Sequence, residues 1–115
     1  MKSDIIVIGG GASGMVAAIS AARNGATVII LERMPRLGKK LLATGNGRCN
    51  YTNRKLNKQC YHTKNPDMVE RVLKKFGYKE TEEFFWNLGI IPKEKDGYVY
   101  PNSMQAASIL DALRF

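Results

Sequence analysis

The sequence predicts an α/β protein that opens with a parallel β-α-β unit, and three observations carry this prediction. An apolar, β-branched run at residues 5–8 has the composition of a buried strand. A glycine-rich run at 9–14 follows it and leads into an alanine-rich helical pattern that ends near Gly25. A second apolar run at 27–31 is followed directly by the acidic residue Glu32. We therefore expect a strand, a tight turn, a helix and a parallel strand within residues 1–37.

The glycine-rich run has the GxGxxG spacing of a Rossmann-like phosphate-binding turn. We expect Gly9 to adopt a turn conformation that a Cβ would forbid, Gly11 to leave room for a pyrophosphate, and Gly14 to let helix and strand pack closely. The free N–H groups at the start of the helix would then face the anion. The first 37 residues are thus predicted to bind a dinucleotide.

Glu32 helps to decide which dinucleotide is expected. It lies 18 residues past Gly14, close to the spacing of about 20 residues expected for the carboxylate that accepts hydrogen bonds from an adenosine ribose. The same carboxylate would repel a 2′-phosphate, so FAD or NAD is favoured over NADP. The small Ala18 and the position of the turn at the start of the chain suit a flavoprotein.

Three other interpretations of this stretch compete with dinucleotide binding. A signal peptide needs a continuous apolar core, which Asp4 and three successive glycines interrupt. A membrane helix would have to accommodate Arg23 and Asn24, and the sequence has no run of about 20 uninterrupted apolar residues. A glycine-rich turn that binds nothing is the remaining alternative, although Glu32 stands in register with the turn.

The composition suits one small soluble domain or part of a larger one, because 44% of the 115 residues are hydrophobic. The net charge of +8, from 18 Lys and Arg against 10 Asp and Glu, would suit a polyanion partner. Basic residues accumulate between Arg33 and Lys75, where the only acids are Asp67 and Glu70. A basic tract just after a phosphate-binding unit can equally neutralise a dinucleotide, so nucleic acid is not expected as a partner.

The cysteines and the histidine do not suggest a metal site. Cys49 and Cys60 form neither a CxxC pair nor a metal-ligand pattern, and the single histidine, His62, has no partner at ligand spacing. In the absence of an export signal we expect reduced thiols in a cytoplasmic protein that contacts no membrane.

Residues 38–53 are predicted to line the bound dinucleotide. The first part, 38–43, has the pattern of a short helix, whereas 44–53 are dense in Gly, Asn and Thr, which make turns and expose backbone donors. A loop that directly follows a ribose-binding strand is placed to run beside the ligand, away from the adenine. Turn formation alone would also explain the glycines, but it would not explain Arg48 between two turns.

The remaining residues, 54–115, are predicted to form helices and a hairpin. Asn65 and Pro66 have the pattern of a helix N-terminus, so we expect one helix over 67–76 and a second over 80–88.

Asp96-Gly97 is a strong hairpin signal between the candidate strands at 90–95 and 98–100. Pro92 cannot donate a backbone hydrogen bond, so the first of these strands is predicted to lie at an edge of its sheet.

Asn102 and Gln105 resemble a capping box for a last helix over 104–113. Only two candidate parallel strands are present, whereas a nucleotide-binding sheet of this class needs several that are covered on both faces. We therefore expect this chain to be the N-terminal part of a longer protein, whose absent part would cover Leu110 and Phe115.

The glycine turn and the loop together resemble a bacterial family of NAD(P)/FAD-dependent flavoproteins that includes aminoacetone oxidase-like enzymes and a bile-acid-pathway reductase. The resemblance extends through all 115 residues, and the loop motif is more specific than the turn. It implies an incomplete fragment of a two-domain flavoprotein that lacks a substrate-side domain and the later strands of the FAD domain. The matching residues are 8–14, Glu32-Arg33, 38–42, 45–53 and Tyr100-Pro101.

The resemblance also implies cofactor roles. The residues of the turn would hold the FAD pyrophosphate, Glu32 would hold the ribose, and Lys39, Lys40 and the loop 44–50 would line the cofactor toward the flavin. Asn46 stands where many family members have glycine. The cofactor-binding residues expected in total are Gly9, Gly11, Ala12, Ser13, Gly14, Glu32, Arg33, Lys39, Lys40, Thr44, Gly45, Asn46, Gly47, Arg48, Cys49 and Asn50.

We therefore expect an FAD-dependent oxidoreductase, of which residues 1–115 are the cofactor-binding N-terminal part and are inactive alone. The flavin would transfer a hydride between a small-molecule substrate and a nicotinamide, NAD(P)H, or O₂. No catalytic side chain is assigned. The alternative is a non-catalytic module that binds a nucleotide or another polyanion.

Overall fold

The first unit consists of strand β1 (Ile5–Ile8), helix α1 (Ala12–Arg23) and strand β2 (Val28–Leu31) in the computed structural model, which describes residues 2–114. The two strands pair in parallel, with Ile5 opposite Val28 and Ile8 opposite Leu31. The predicted parallel β-α-β unit is therefore confirmed.

A reciprocal set of hydrogen bonds joins the beginnings of the two strands. The backbone N–H of Thr27 donates to the Asp4 carboxylate at 2.9 Å, and the Thr27 hydroxyl donates to the same oxygen at 3.0 Å. In return the Asp4 N–H donates to the Thr27 hydroxyl at 3.0 Å. The hydrogen bonds that Thr27 donates lower the pKa of Asp4, because they favour its ionised form.

The segment after β2 contains the predicted short helix, which is a 3₁₀ helix over Lys39–Ala43, followed by a single helical turn, α2 (Thr44–Gly47). Gly45 and Asn46 interrupt this turn with left-handed backbone, at φ 56° and 57°. Asparagine is one of the few residues other than glycine that adopt this conformation readily. Asparagine at position 46 is therefore compatible with this backbone.

A two-stranded hairpin follows further along the chain, formed by β4 (Pro92–Lys95) and β5 (Tyr98–Pro101). Asp96 and Gly97 both have positive φ, 52° and 88°, as a type I′ turn requires. Both the hairpin and the edge position of the proline-containing strand are confirmed.

One strand falls where the sequence predicts a loop. β3 (Thr52–Asn53) pairs with β5, and Thr52 lies opposite Val99. The Tyr51 N–H extends this contact by donating to the Val99 carbonyl at 3.0 Å. Composition alone conceals this strand because its pairing partner lies far away in the sequence.

A short 3₁₀ helix (Lys58–Cys60) and two α-helices connect β3 to the hairpin, and the α-helices are α3 (Pro66–Lys75) and α4 (Tyr78–Asn87). The Asn65 side chain accepts a hydrogen bond from the Met68 N–H at 3.2 Å, so the predicted N-cap is confirmed.

The last helix, α5 (Ala106–Arg114), begins two residues later than predicted, and the capping box is wrong. Met104 has a φ of 58° and its N–H closes a turn onto the Pro101 carbonyl, which keeps the chain out of helical geometry up to Gln105. The Ser103 hydroxyl, rather than Asn102, accepts a hydrogen bond from the Gln105 N–H at 3.3 Å.

The core forms around α5. Leu110 is only 6% exposed, so the expectation that an absent segment covers it is wrong; Phe115 lies outside the described residues. Among residues 2–114 we find no candidate for a membrane-spanning helix. The buried cluster contains Met15, Leu41, Cys49, Phe85, Ile90, Ala106, Ile109, Leu110 and Leu113.

Candidate functional site

The glycine turn places the end of β1 against the start of α1. Gly9 has a φ of 97° and its N–H donates to the Leu31 carbonyl at 2.8 Å, which ties the turn to β2. A Cβ on Gly14 would overlap the Gly9 carbonyl oxygen. Only glycine therefore permits this approach of helix to strand.

The amino end of α1 is open to a ligand. Gly11 occupies the N-cap position without a side chain to cap the helix, and the first turn of α1 carries no acidic residue. Gly11, Ala12 and Ser13 are exposed, and a Cβ built on Gly11 would meet nothing within 4 Å. Neither the N-cap residue nor the first turn of α1 thus supplies a side chain that compensates the positive end of the helix dipole, as in anion-binding helix termini.

Glu32 follows β2 directly and turns toward the glycine turn. Its Oε2 accepts a hydrogen bond from the Gly10 N–H at 3.3 Å. The Gly10 carbonyl in turn accepts from the Gly38 N–H at 2.7 Å, so the turn, the acid and the start of the next segment are held together.

Two neighbouring cavities meet at the amino end of α1, and both are lined by Gly11 and Lys40. The smaller one, of about 460 Å³, is also lined by Gly10, Glu32, Met34, Gly38 and Lys39. The larger one, of about 520 Å³, is also lined by Ala12, Ser13, Val16, Leu41, Thr44, Cys49, Asn50, Tyr51, Phe85, Ile109 and Leu113.

Some of the residues predicted to line a cofactor lie away from both cavities. Arg33 is exposed and lines neither of them. Arg48 instead holds its guanidinium carbon 5.4 Å from the centre of the Tyr100 ring. Gly45, Asn46 and Gly47 also line neither cavity, and they form the left-handed turn that brings Thr44, Cys49 and Asn50 to the larger one.

The apolar wall of the larger cavity is the part of the site that the sequence-based prediction missed. Val16, Leu41, Tyr51, Phe85, Ile109 and Leu113 come from five separate segments of the chain. In the sequence they are periodic apolar residues, which indicate a core but not a cavity. Gly10, Met34 and Gly38, which line the smaller cavity, were missed as well.

Tyr51 carries an unsatisfied polar atom in this wall. Its Oη is buried and has no hydrogen-bond partner among the described residues. Burial, reinforced by the negative charge of Glu82, raises the pKa of Tyr51 to about 12. A buried hydroxyl without a partner costs on the order of 1–3 kcal/mol relative to one that is hydrogen-bonded.

The two thiols are expected to differ sharply in reactivity. Cys49 is buried and burial raises its pKa, against a weaker opposing effect of a hydrogen bond with Thr44, whereas Cys60 is exposed. A raised pKa keeps the Cys49 thiol protonated and unreactive at pH 7. Iodoacetamide labelling followed by mass spectrometry should show fast modification of Cys60 and slow modification of Cys49.

The control for this prediction is Cys60→Ser, in which the fast phase should disappear. Labelling of the remaining Cys49 should accelerate only at strongly alkaline pH. Fast labelling of this variant at pH 7 would show that the thiol is accessible and ionised, contrary to its buried position.

Residues 2–114 contain no group of three or more His, Cys, Asp or Glu side chains arranged to hold a metal ion.

Comparison with known proteins gives a family match over residues 3–115, to the family described as HI0933-like protein Rossmann domain. The chain is 57% identical over 109 residues to the 3-dehydro-bile acid delta(4,6)-reductase of Clostridium scindens, covering 93% of this chain and 27% of that protein. It is 36% identical over 75 residues to the ribosomal RNA dihydrouridine synthase of Escherichia coli, covering 65% and 19%. Its identity to the Haemophilus influenzae protein of the same name is 31% over 94 residues, covering 82% and 23%. The chain thus spans about a quarter of the length of these curated relatives or less.

Proposed function

The chain belongs to the family described as HI0933-like protein Rossmann domain, and on that premise we propose that it is the FAD-binding N-terminal portion of a flavin-dependent oxidoreductase. One observation carries the proposal. The uncapped amino end of α1 begins at Gly11, and the Glu32 carboxylate accepts a hydrogen bond at 3.3 Å from the N–H of the adjacent Gly10. This is the arrangement needed to bind a diphosphate and its adjoining ribose together.

The two cavities suggest where the two halves of a bound FAD would lie. The adenosine half would occupy the smaller cavity, where Glu32 can accept hydrogen bonds from ribose hydroxyls. The diphosphate would cross at Gly11, beside the ammonium group of Lys40, and the flavin half would enter the larger cavity. Lys40 would supply positive charge, and the apolar wall would exclude water. When bound, FAD supplies hydride transfer, and this chain binds and orients it.

We further propose that a nicotinamide, NADH or NADPH, reduces the flavin and that the substrate is a small organic molecule. The 57% identical relative is named as a reductase, which supports this direction over oxidation by O₂.

The free thiols of Cys49 and Cys60 suit a cytoplasmic location.

Anaerobic mixing tests the proposal on the complete protein that carries this chain. The purified protein should be yellow, and NADH or NADPH should bleach its flavin absorbance before any substrate is added. A colourless protein that takes up no added FAD would contradict the proposal. Flavin that is bleached by an amine substrate but by neither nicotinamide would contradict the reductase direction.

Glu32→Ala is expected to weaken FAD binding by about tenfold or more, because a hydrogen bond to a charged group contributes about 1.5–3 kcal/mol. The affinity can be measured by titrating the apoprotein with FAD and following flavin fluorescence.

The matched control is Glu83→Ala, which removes an exposed carboxylate from α4 and should leave the affinity unchanged. Equal affinities for the two variants would count against Glu32 as the ribose ligand.

A second candidate function is supported by the net charge of +8 and by two relatives named as ribosomal RNA dihydrouridine synthases. On this proposal the chain binds RNA, either as a substrate or without redox chemistry. Binding to ribosomal RNA fragments should then weaken steeply with salt, because cations on the protein displace counterions from phosphate. Weak RNA binding at low salt would remove this candidate.

A further inference from the structure

The larger cavity has an aromatic pair in its wall. The rings of Tyr51 and Phe85 lie with their centres 4.9 Å apart and their planes inclined at 55°. Both residues line the same cavity as Ala12 and Ser13, at the amino end of α1. An aromatic surface therefore lies within the cavity that adjoins the phosphate-binding turn.

We propose that Tyr51 contacts the flavin ring system directly, in the larger cavity. This inference rests on the proposed function and adds a residue to it, since the sequence-based set ends at Asn50. Glu32 lines the smaller cavity and not the larger one, which assigns the adenosine half to the smaller cavity. The diphosphate is short, so the flavin half must continue from Gly11 into the neighbouring space.

The size and chemistry of the larger cavity suit a fused aromatic ring. Its volume of about 520 Å³ falls within the range of about 300–1,000 Å³ typical of small-molecule sites. Apolar side chains from α1, α4 and α5 form much of its wall, and the polar residues Ser13, Thr44 and Asn50 are also part of it. A planar ligand with polar edges matches such a lining better than a phosphate or a sugar does.

The hydroxyl of Tyr51 allows a conservative test of this ring contact. Its Oη is buried, with less than 1 Å² of accessible surface, and has no hydrogen-bond partner among residues 2–114, so the ring and not the hydroxyl provides the surface that lines the cavity. With a pKa of about 12 the phenol stays protonated at neutral pH, so it keeps both a donor and an acceptor.

Fluorescence of the complete FAD-loaded protein tests the contact. An excited flavin takes an electron from a tyrosine ring that touches it and returns it without emitting light, whereas phenylalanine is too difficult to oxidise to do so. Tyr51→Phe should therefore raise the fluorescence lifetime and yield of bound FAD several-fold. The variant removes only an unsatisfied hydroxyl, so the fold and the ring packing should be retained.

Two further variants make the result specific. Tyr61→Phe changes an exposed tyrosine that lines neither cavity, and it should leave the lifetime unchanged. Tyr51→Trp should restore the short lifetime, because tryptophan also donates an electron to an excited flavin.

The possible outcomes separate this inference from the proposed function. If the wild-type protein binds FAD and Tyr51→Phe leaves the lifetime unchanged, the inference is overturned while the proposed function stands, and the cavity then holds substrate or another part of the polypeptide. If the wild-type protein binds no FAD, the proposed function fails and this inference fails with it.

Discussion

Gly14→Ala is expected to destabilise the protein severely, by about 3 kcal/mol or more, which is the upper end of overpacking costs. The added Cβ would overlap the Gly9 carbonyl oxygen, which is backbone and cannot rotate away as a side chain can. Relief requires α1 to move off β1, which would disrupt the turn that the proposed diphosphate needs. Urea unfolding of the complete protein, followed by circular dichroism, should show a large drop in the midpoint.

The matched control for Gly14→Ala is the same substitution at Gly11, where a Cβ meets nothing within 4 Å and the backbone φ is −77°. Alanine adopts this φ without strain, which is worth about 0.4–1 kcal/mol, but it is a poorer N-cap than glycine by a similar amount, so stability should stay about the same. Similar unfolding midpoints for the two variants would show that α1 and β1 do not pack as closely as described.

Gly11→Ala is expected to have the second large effect, which is on binding. Its methyl group would occupy the space in front of the α1 amino end, where the proposed diphosphate approaches the backbone. We expect the FAD dissociation constant to rise about 100-fold, which corresponds to ~2.7 kcal/mol. Titration of the apoprotein with FAD measures this directly.

Stability and binding should therefore separate between the two glycines. Gly11→Ala should fold normally and bind poorly, whereas Gly14→Ala should fail in both respects. Normal FAD affinity in Gly11→Ala would place the diphosphate elsewhere and would count against the proposed site.

The parts of the fold that the sequence predicts correctly are those fixed by short-range signals. The glycine spacing at 9–14 and the apolar runs on either side of α1 specify the β-α-β unit. Asn65 specifies the start of α3, and Asp96-Gly97 specifies the hairpin, because each requires only a few neighbouring residues.

The errors arise where distant residues decide the outcome. β3 exists because β5 offers an unpaired edge 45 residues later in the chain, which composition does not reveal. Asn102 and Gln105 have the spacing of a capping box, but the left-handed backbone of Met104 makes the helix begin later, at Ala106. Leu110 is buried by residues of this chain, near Met15 and Gly38, rather than by a segment outside it.

The candidate site likewise contains residues that the sequence predicts and residues that it does not. Gly11 and Glu32 follow from a spacing rule, and Ser13 and Lys40 follow from the family resemblance. The structure gathers all four at the amino end of α1. Tyr51 and the rest of the apolar wall do not follow from such a rule, because five segments must fold together before their surface becomes a cavity. Apolar periodicity marks these residues as buried but does not show that space remains between them.

The junction of the two cavities at Gly11 and Lys40 has a thermodynamic consequence for the proposed ligand. Each half of a dinucleotide would meet a separate surface, and one covalent bridge would join them. Once the first half is seated, the second experiences a local concentration in the millimolar range or above, so the joined molecule binds far more tightly than either half. Hydrolysis of that bridge would release both pieces, because neither surface alone would retain its share.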